Sequence, residues 1–179
     1  MKILFLSFYY QPDLSAGSFR STSLIKALLE QLPSNAEIEL ITTHPNRYNS
    51  FTSEAPEFEK HLGLTIHRIK LPKHKSGIFD QSKAFLMFAK HALHLSKAKN
   101  YDLIYATSSR LMTSVLGAYI SKKIKKWLYL DIRDIFVDSI KDVLPRKFAW
   151  AVIPFFSALE RWTITAANKV NLVSQGFLP

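Results

Sequence analysis

The amino-acid sequence predicts an α/β protein built on a doubly wound, mainly parallel sheet. Three observations carry that prediction. Short, nearly unbroken apolar runs recur along the chain, as strands buried on both faces of a parallel sheet do. Longer segments with helical apolar spacing alternate with them, as crossover helices do. Turn-forming clusters such as Pro33-Ser34-Asn35 mark the changes of period.

The elements follow in order. Met1-Lys2-Ile3-Leu4-Phe5-Leu6-Ser7-Phe8 is the first strand, and Tyr9-Tyr10-Gln11-Pro12-Asp13 opens a turn leading to a helix with Ser18 as N-cap. Residues 19–32 place Phe19, Ile25, Leu28, Leu29 and Leu32 at roughly helical spacing. Residues 37–43 form a second strand. Residues 44–63 are polar and irregular, with one helical turn expected over residues 56–61; a connection of that length is more often functional than idle. Residues 64–71 alternate and are basic on one side, a strand near a sheet edge. A basic turn with Lys73, His74 and Lys75 precedes a helix over residues 78–97, whose expected inner stripe is Ile78, Phe85, Leu86, Ala89, Ala92 and Leu93.

Residues 101–106 are a buried strand ending in Thr107-Ser108-Ser109, hydroxyls suited to capping a helix or donating to a ligand. The helix over residues 110–123 turns Leu111, Met112, Val115, Leu116, Tyr119 and Ile120 inward and ends among lysines that complement its dipole. Residues 127–132 form a strand running into Arg133-Asp134. Residues 146–168 are helical but broken at Pro154, and residues 169–173 are a last strand. Residues 174–179 read as the start of a further element.

A chain of 179 residues with 47% apolar content suits one sizeable domain. The absence of cysteine excludes a disulfide framework, thiol chemistry and cysteine-ligated metal, and favours the cytoplasm. The run after Lys2 is too short for a signal peptide. Lys and Arg number 24 against 14 Asp and Glu, and the resulting net charge of +10 attracts something anionic: nucleic acid, a phosphorylated substrate or an anionic membrane leaflet.

Three loops follow predicted strands on the carboxyl edge of the sheet, where open α/β sheets bind ligands. Ala16-Gly17-Ser18 puts a small backbone at a helix N-terminus, either a structural turn or an anion site to which Arg20 adds charge. It lacks the three-glycine dinucleotide fingerprint and the P-loop lysine. Thr107-Ser108 and Arg133-Asp134 are expected to meet it in one crevice, with Asp131 and Asp134 as carboxylates. The alternative is a capped turn with a local Arg133–Asp138 ion pair. His91 and His94 stand three apart on a helix, a spacing that permits metal ligation, yet no acidic residue lies between Asp80 and Asp102; a solvated helix face is expected and no metal. No nucleophile elbow appears. Residues 146–159 are the most hydrophobic stretch, too short to span a membrane. They read either as a kinked core helix or as an interfacial helix presenting Arg146, Lys147, Trp150, Phe155 and Phe156.

On Phe8-Tyr9-Tyr10-Gln11-Pro12-Asp13 and Ala16-Gly17-Ser18-Phe19-Arg20, the chain resembles the N-terminal domain of bacterial glycosyltransferases of the GT-B fold, in the large retaining family 4, of the kind that build lipopolysaccharide O-antigen or capsule. The stretch Ala-Ala-Asn-Lys-Val-Asn-Leu-Val-Ser-Gln-Gly over residues 166–176 is similar to that family's ending of this domain. Where the subgroup follows its arginine–aspartate pair with leucine, tryptophan and proline, this chain has Ile135-Phe136-Val137.

The resemblance implies one Rossmann-like half of a two-domain enzyme, residues 1–179 forming the acceptor side. The donor-binding domain, with its paired glutamates separated by seven residues, is absent from this chain, so the fragment alone is expected to be inactive. It further implies retention of anomeric configuration with no cofactor and no obligatory metal. Ala16, Gly17 and Ser18 would face the donor diphosphate, and Arg20, Thr107, Ser108, Arg133 and Asp134 would line the acceptor side; no catalytic base is identified. The implied partners are a nucleotide-sugar donor, a polyprenyl-diphosphate-linked glycan acceptor and an anionic membrane surface on the inner face of the cytoplasmic membrane. A stand-alone nucleotide- or phosphate-binding module without transferase activity is the competing reading. Nucleic acid is not an expected partner, since no reader motif appears and the lysines are spread over several elements.

Overall fold

The computed structural model describes residues 1–45, 54–71, 78–97, 99–108, 111–134 and 146–173. The basic turn at Lys73, His74 and Lys75, the Ser109 hydroxyl, the Ile135-Phe136-Val137 segment, Asp138 and residues 174–179 lie outside that description, as do the side chains of Ile78, Arg146 and Lys147. The fold is α/β, with seven strands in a mostly parallel sheet and four helices among the described residues. It is consistent with a doubly wound, Rossmann-like architecture, and the chain divides into two compact units, Met1–Asp102 and Leu103–Pro179.

The first unit contains β1 (Lys2–Leu6), α1 (Ala16–Gln31), β2 (Glu37–Thr43), β3 (Phe58–His61), β4 (Leu64–Ile69) and α2 (Ile78–Ser96), with strand order β3-β4-β2-β1. β1, β2 and β4 are parallel, with Phe5 opposite Leu40 and Ile38 opposite Leu64. Ile3, Leu4, Phe5 and Leu6 are all buried, as a strand covered on both faces requires. Phe8 continues this core and meets Phe88 of α2 at 5.2 Å between ring centroids, a contact contributing about 0.5–1.5 kcal/mol beyond area burial.

The expected helical turn over residues 56–61 is instead β3, antiparallel to β4. A two-residue loop joins them, and Gly63, at φ +73°, takes the left-handed conformation the turn needs. The exposed ladder of β4 offers residues 58–61 hydrogen-bond partners that a single helical turn cannot match. β4 is thus paired on both sides, with β3 at the edge.

Two helix expectations are corrected here. α1 begins at Ala16, with Ser15 and not Ser18 as its N-cap: Ser15 is extended, and its hydroxyl accepts the Ser18 amide at 3.1 Å. On α2 the inner stripe runs through Ala84, Phe85, Phe88 and Ala92, while Leu86, expected inside, is exposed. Phe19 of α1 also points outward, at 59% exposure.

The second unit contains β5 (Leu103–Thr107), α3 (Leu111–Ile124), β6 (Trp127–Ile132), α4 (Arg146–Ala166) and β7 (Lys169–Leu172), all three strands parallel in the order β5-β6-β7. α3 buries Leu111, Leu116 and Ile120 but leaves Tyr119, expected inward, exposed. It stops at Lys125, whose positive φ of 54° makes a left-handed cap. α4 runs unbroken through Pro154, correcting the expected break. Proline removes one intrahelical donor, and the exposed position lets water serve the orphaned carbonyl.

Candidate functional site

In the first unit the turn between β1 and α1 is held from three sides. Thr43, at the end of β2, donates its hydroxyl to the Phe8 carbonyl at 2.7 Å. Arg68 of β4 donates to the carbonyls of Gln11 at 3.0 Å and Pro56 at 3.1 Å. Ser21 of α1 lies 2.9 Å from both the Ser7 hydroxyl and the Gly17 carbonyl. Arg68 is buried and pairs with Glu59 of β3. Burial pulls the Glu59 carboxyl upward, but the hydrogen bonds from His61 and Arg68 and their charge outweigh it and hold the group below its ordinary value. Burial likewise pushes the Tyr10 phenol up, against the opposing charge of Arg68.

The clamp fixes what the turn presents. Ser15 caps the Ser18 amide, and the Phe19 amide bonds the Ser15 carbonyl. The helix itself supplies no carbonyl for the Ala16 and Gly17 amides, which sit at the positive end of its dipole. The Ser18 side chain is fully buried and contributes nothing to the surface, whereas Arg20 is exposed one turn along. On the flank of the same turn opens a cleft of about 590 Å³ between residues 11–14, the outer side of α1 at Phe19 and Thr22, and Glu54, Ala55, Pro56 and Glu59 with Arg68. That volume is typical of small-molecule sites.

In the second unit Thr107, Ser108, Asp131 and Arg133 come together. The Ser108 amide donates to the Asp131 carbonyl at 2.9 Å, and the Ser108 hydroxyl accepts the Arg133 amide at 2.8 Å, tying the ends of β5 and β6. Asp131 is fully buried, so its carboxylate is structural: Asn171 of β7 donates to it at 2.7 Å, and Arg133 Nε lies 3.5 Å away. Among the described residues Arg133 pairs with Asp131, and Asp138 lies outside them. Thr107 and Ser108 are buried as well, and Asp134 is exposed.

On α4, Trp150 is 79% and Phe155 62% exposed, while Phe156 is half-buried with its ring edge-on to Phe155. No described helix is long and apolar enough to cross a membrane. His91 and His94 are exposed, and His91 Nδ1 lies 2.8 Å from the Met87 carbonyl of its own helix. Among the described residues no group of three or more His, Asp or Glu side chains is placed to hold a metal ion.

Sequence reasoning missed Thr43, Glu59, Arg68 and Asn171. Arg68 left one signal: it stands in phase with Leu64 and Ile66, the buried face of its strand, where a charged residue needs a buried partner. Compared with models of known protein families and with curated proteins, the chain matches none.

Proposed function

We propose that this chain is the acceptor-side half of a retaining glycosyltransferase that moves a sugar from a nucleotide-sugar donor to a polyprenyl-diphosphate-linked glycan in cell-surface polysaccharide biosynthesis. The observation that carries the reading is the first turn of α1, directly after a buried parallel strand. Its Ala16 and Gly17 amides are unused within the helix at the place where the resemblance puts the donor diphosphate. Charge accumulates on that diphosphate as the glycosidic bond to the leaving group breaks, and fixed amides at a helix N-terminus stabilise it. Arg20 adds a cation nearby, and Arg133 and Asp134 belong to the acceptor side. Trp150 and Phe155, exposed on α4, support a peripheral site at the inner face of the cytoplasmic membrane, since apolar insertion together with a cationic protein is how interfacial helices bind.

The test is transfer by the full-length gene product from a panel of labelled nucleotide sugars to lipid-linked acceptor in membranes. The reading expects a second α/β domain with spaced glutamates in that product, and transfer with one of the donors. Gly17→Val, which crowds the amide, is expected to lower turnover about 100-fold with an unchanged melting temperature. No transfer with any donor, or a wild-type rate in Gly17→Val, refutes it.

A further inference from the structure

The amino end of β6 carries the densest run of positive charge among the described residues. α3 ends with Lys122 and Lys123 in its last turn, and Lys125 and Lys126 lead into Trp127: four lysines in five residues, all exposed. The turn that holds them is pinned. Lys125 is left-handed at φ 54°, the Ser121 hydroxyl donates to the Lys126 carbonyl at 2.5 Å, and the Lys126 amide donates to the Ser121 carbonyl at 3.1 Å. Lys122 Nζ lies 5.0 Å from the ring centroid of Trp162 on α4, and Lys123 Nζ 5.9 Å from that of Tyr119, contacts that leave both ammonium groups at the surface. Trp127 itself is 64% exposed. None of the four lysines forms an ion pair with a carboxylate among the described residues. The exposed Asp134 stands beyond the far end of β6, a strand of six residues and thus about 20 Å long, twice the distance over which salt screens a charge.

Four lysines without acidic partners beside an exposed tryptophan select a partner. The run contains no arginine, and lysine is a compact point charge without the planar fork by which arginine grips one phosphate. It suits a surface of many negative charges better than a single bound anion. Trp127 adds an amphipathic ring of the kind that settles at headgroup depth in a bilayer, and anionic lipid holds a polybasic cluster by about fivefold per lysine. We infer that the turn from Lys122 to Trp127 docks on the headgroups of acidic phospholipids. The inference deepens the membrane part of the proposed function by giving it a lipid class, and it rests on that part alone. α4 joins the two contacts: Trp162, under Lys122, lies near its end, and Trp150 and Phe155 are exposed on its first half. Interfacial binding grows with buried apolar area and with attraction to anionic lipid together, and the same unit supplies both.

The full chain is mixed with vesicles of phosphatidylcholine, either alone or with about one-third phosphatidylglycerol, and the bound fraction is read by flotation at about 0.1 M and about 0.5 M salt. Binding to the mixed vesicles alone, lost at the higher salt, is expected. Lys123→Gln with Lys126→Gln is expected to weaken it about 25-fold, and replacing all four lysines by Gln to abolish it. Replacing all four by Arg keeps the charge and is expected to keep both the binding and the melting temperature. Equal binding to neutral vesicles, wild-type binding after the four Gln replacements, or loss of binding in the folded Arg variant overturns the inference and leaves the peripheral-membrane reading standing. No binding of the wild-type chain to either vesicle overturns both. Tighter binding to a single-stranded oligonucleotide than to mixed vesicles at equal phosphate concentration overturns the inference in favour of nucleic acid. Binding that survives Trp150→Ala with Phe155→Ala but not the four Gln replacements upholds the turn and removes α4 from the contact.

Discussion

Replacing Glu39 by Gln is expected to remove an acid-sensitive part of the stability of the first unit. Glu39 sits in β2 opposite Leu4 and Thr65, nearly fully buried, with Lys2 Nζ at 3.5 Å, His67 Nε2 at 3.1 Å and the Lys99 ammonium on its Oε1. Burial alone would raise its pKa, but the hydrogen bonds from His67 and Lys99 and the charge of Lys99 prevail and bring it from 4.5 to about 2. Because the folded value lies below the unfolded one, the contribution is fully present above pH 4.5 and is lost as pH falls through about 2.

At about 1.4 kcal/mol per tenfold change in proton affinity, the difference amounts to at most about 3 kcal/mol at neutral pH and about 1 kcal/mol at pH 3. Gln keeps the shape and one acceptor, and the two lysine side chains, about a third exposed (34% and 35%), can turn to water, so no fully buried cation is stranded. Urea unfolding of both proteins from neutral pH to pH 2 measures this, urea being uncharged and leaving ion pairs unscreened. The expected result is a destabilisation by Glu39→Gln that shrinks steadily below pH 4.5. A difference between the two proteins that stays constant over that range refutes the argument.

Arg68→Met should cost about 3 kcal/mol, because it strands the Glu59 carboxylate and releases the Gln11 and Pro56 carbonyls; hydrogen exchange should quicken in residues 9–19 more than in β1. Ser15→Ala removes the cap of α1 and should cost about 1 kcal/mol, seen as a lower urea midpoint at unchanged slope. Asp131→Ala removes the buried carboxylate that Arg133 and Asn171 share and should destabilise by about 3 kcal/mol, with Asn171 amide resonances shifting in NMR spectra. Trp150→Ala with Phe155→Ala should abolish flotation with anionic vesicles at low salt while leaving the melting temperature unchanged; flotation equal to wild type would exclude α4 as the membrane contact.

The strands were the most legible part of the chain, because burial on both faces demands continuous apolar runs; residues 127–132 were read as the strand that forms. Helix faces were harder. On α2, Leu86 and Phe88 are equally apolar, and the face that packs is decided by the sheet beneath, where Phe8 meets Phe88. The start of α1 was misplaced because Ser15-Ala16-Gly17-Ser18 offers two capping serines, and the helical cost of Gly17, about 1 kcal/mol relative to Ala, argues for the later one. The Ser15 cap and the bond from the Phe19 amide to the Ser15 carbonyl decide otherwise. β3 was illegible because residues 58–61 have no alternation of their own; they are a strand only by virtue of β4.

The site divides along the same line. The strand–turn–helix that presents Gly17 is local chemistry, readable from twenty consecutive residues. The cleft is not, since Gln11, Thr22, Glu54 and Arg68 are scattered over nearly sixty positions and meet only because β4 pairs with both β2 and β3.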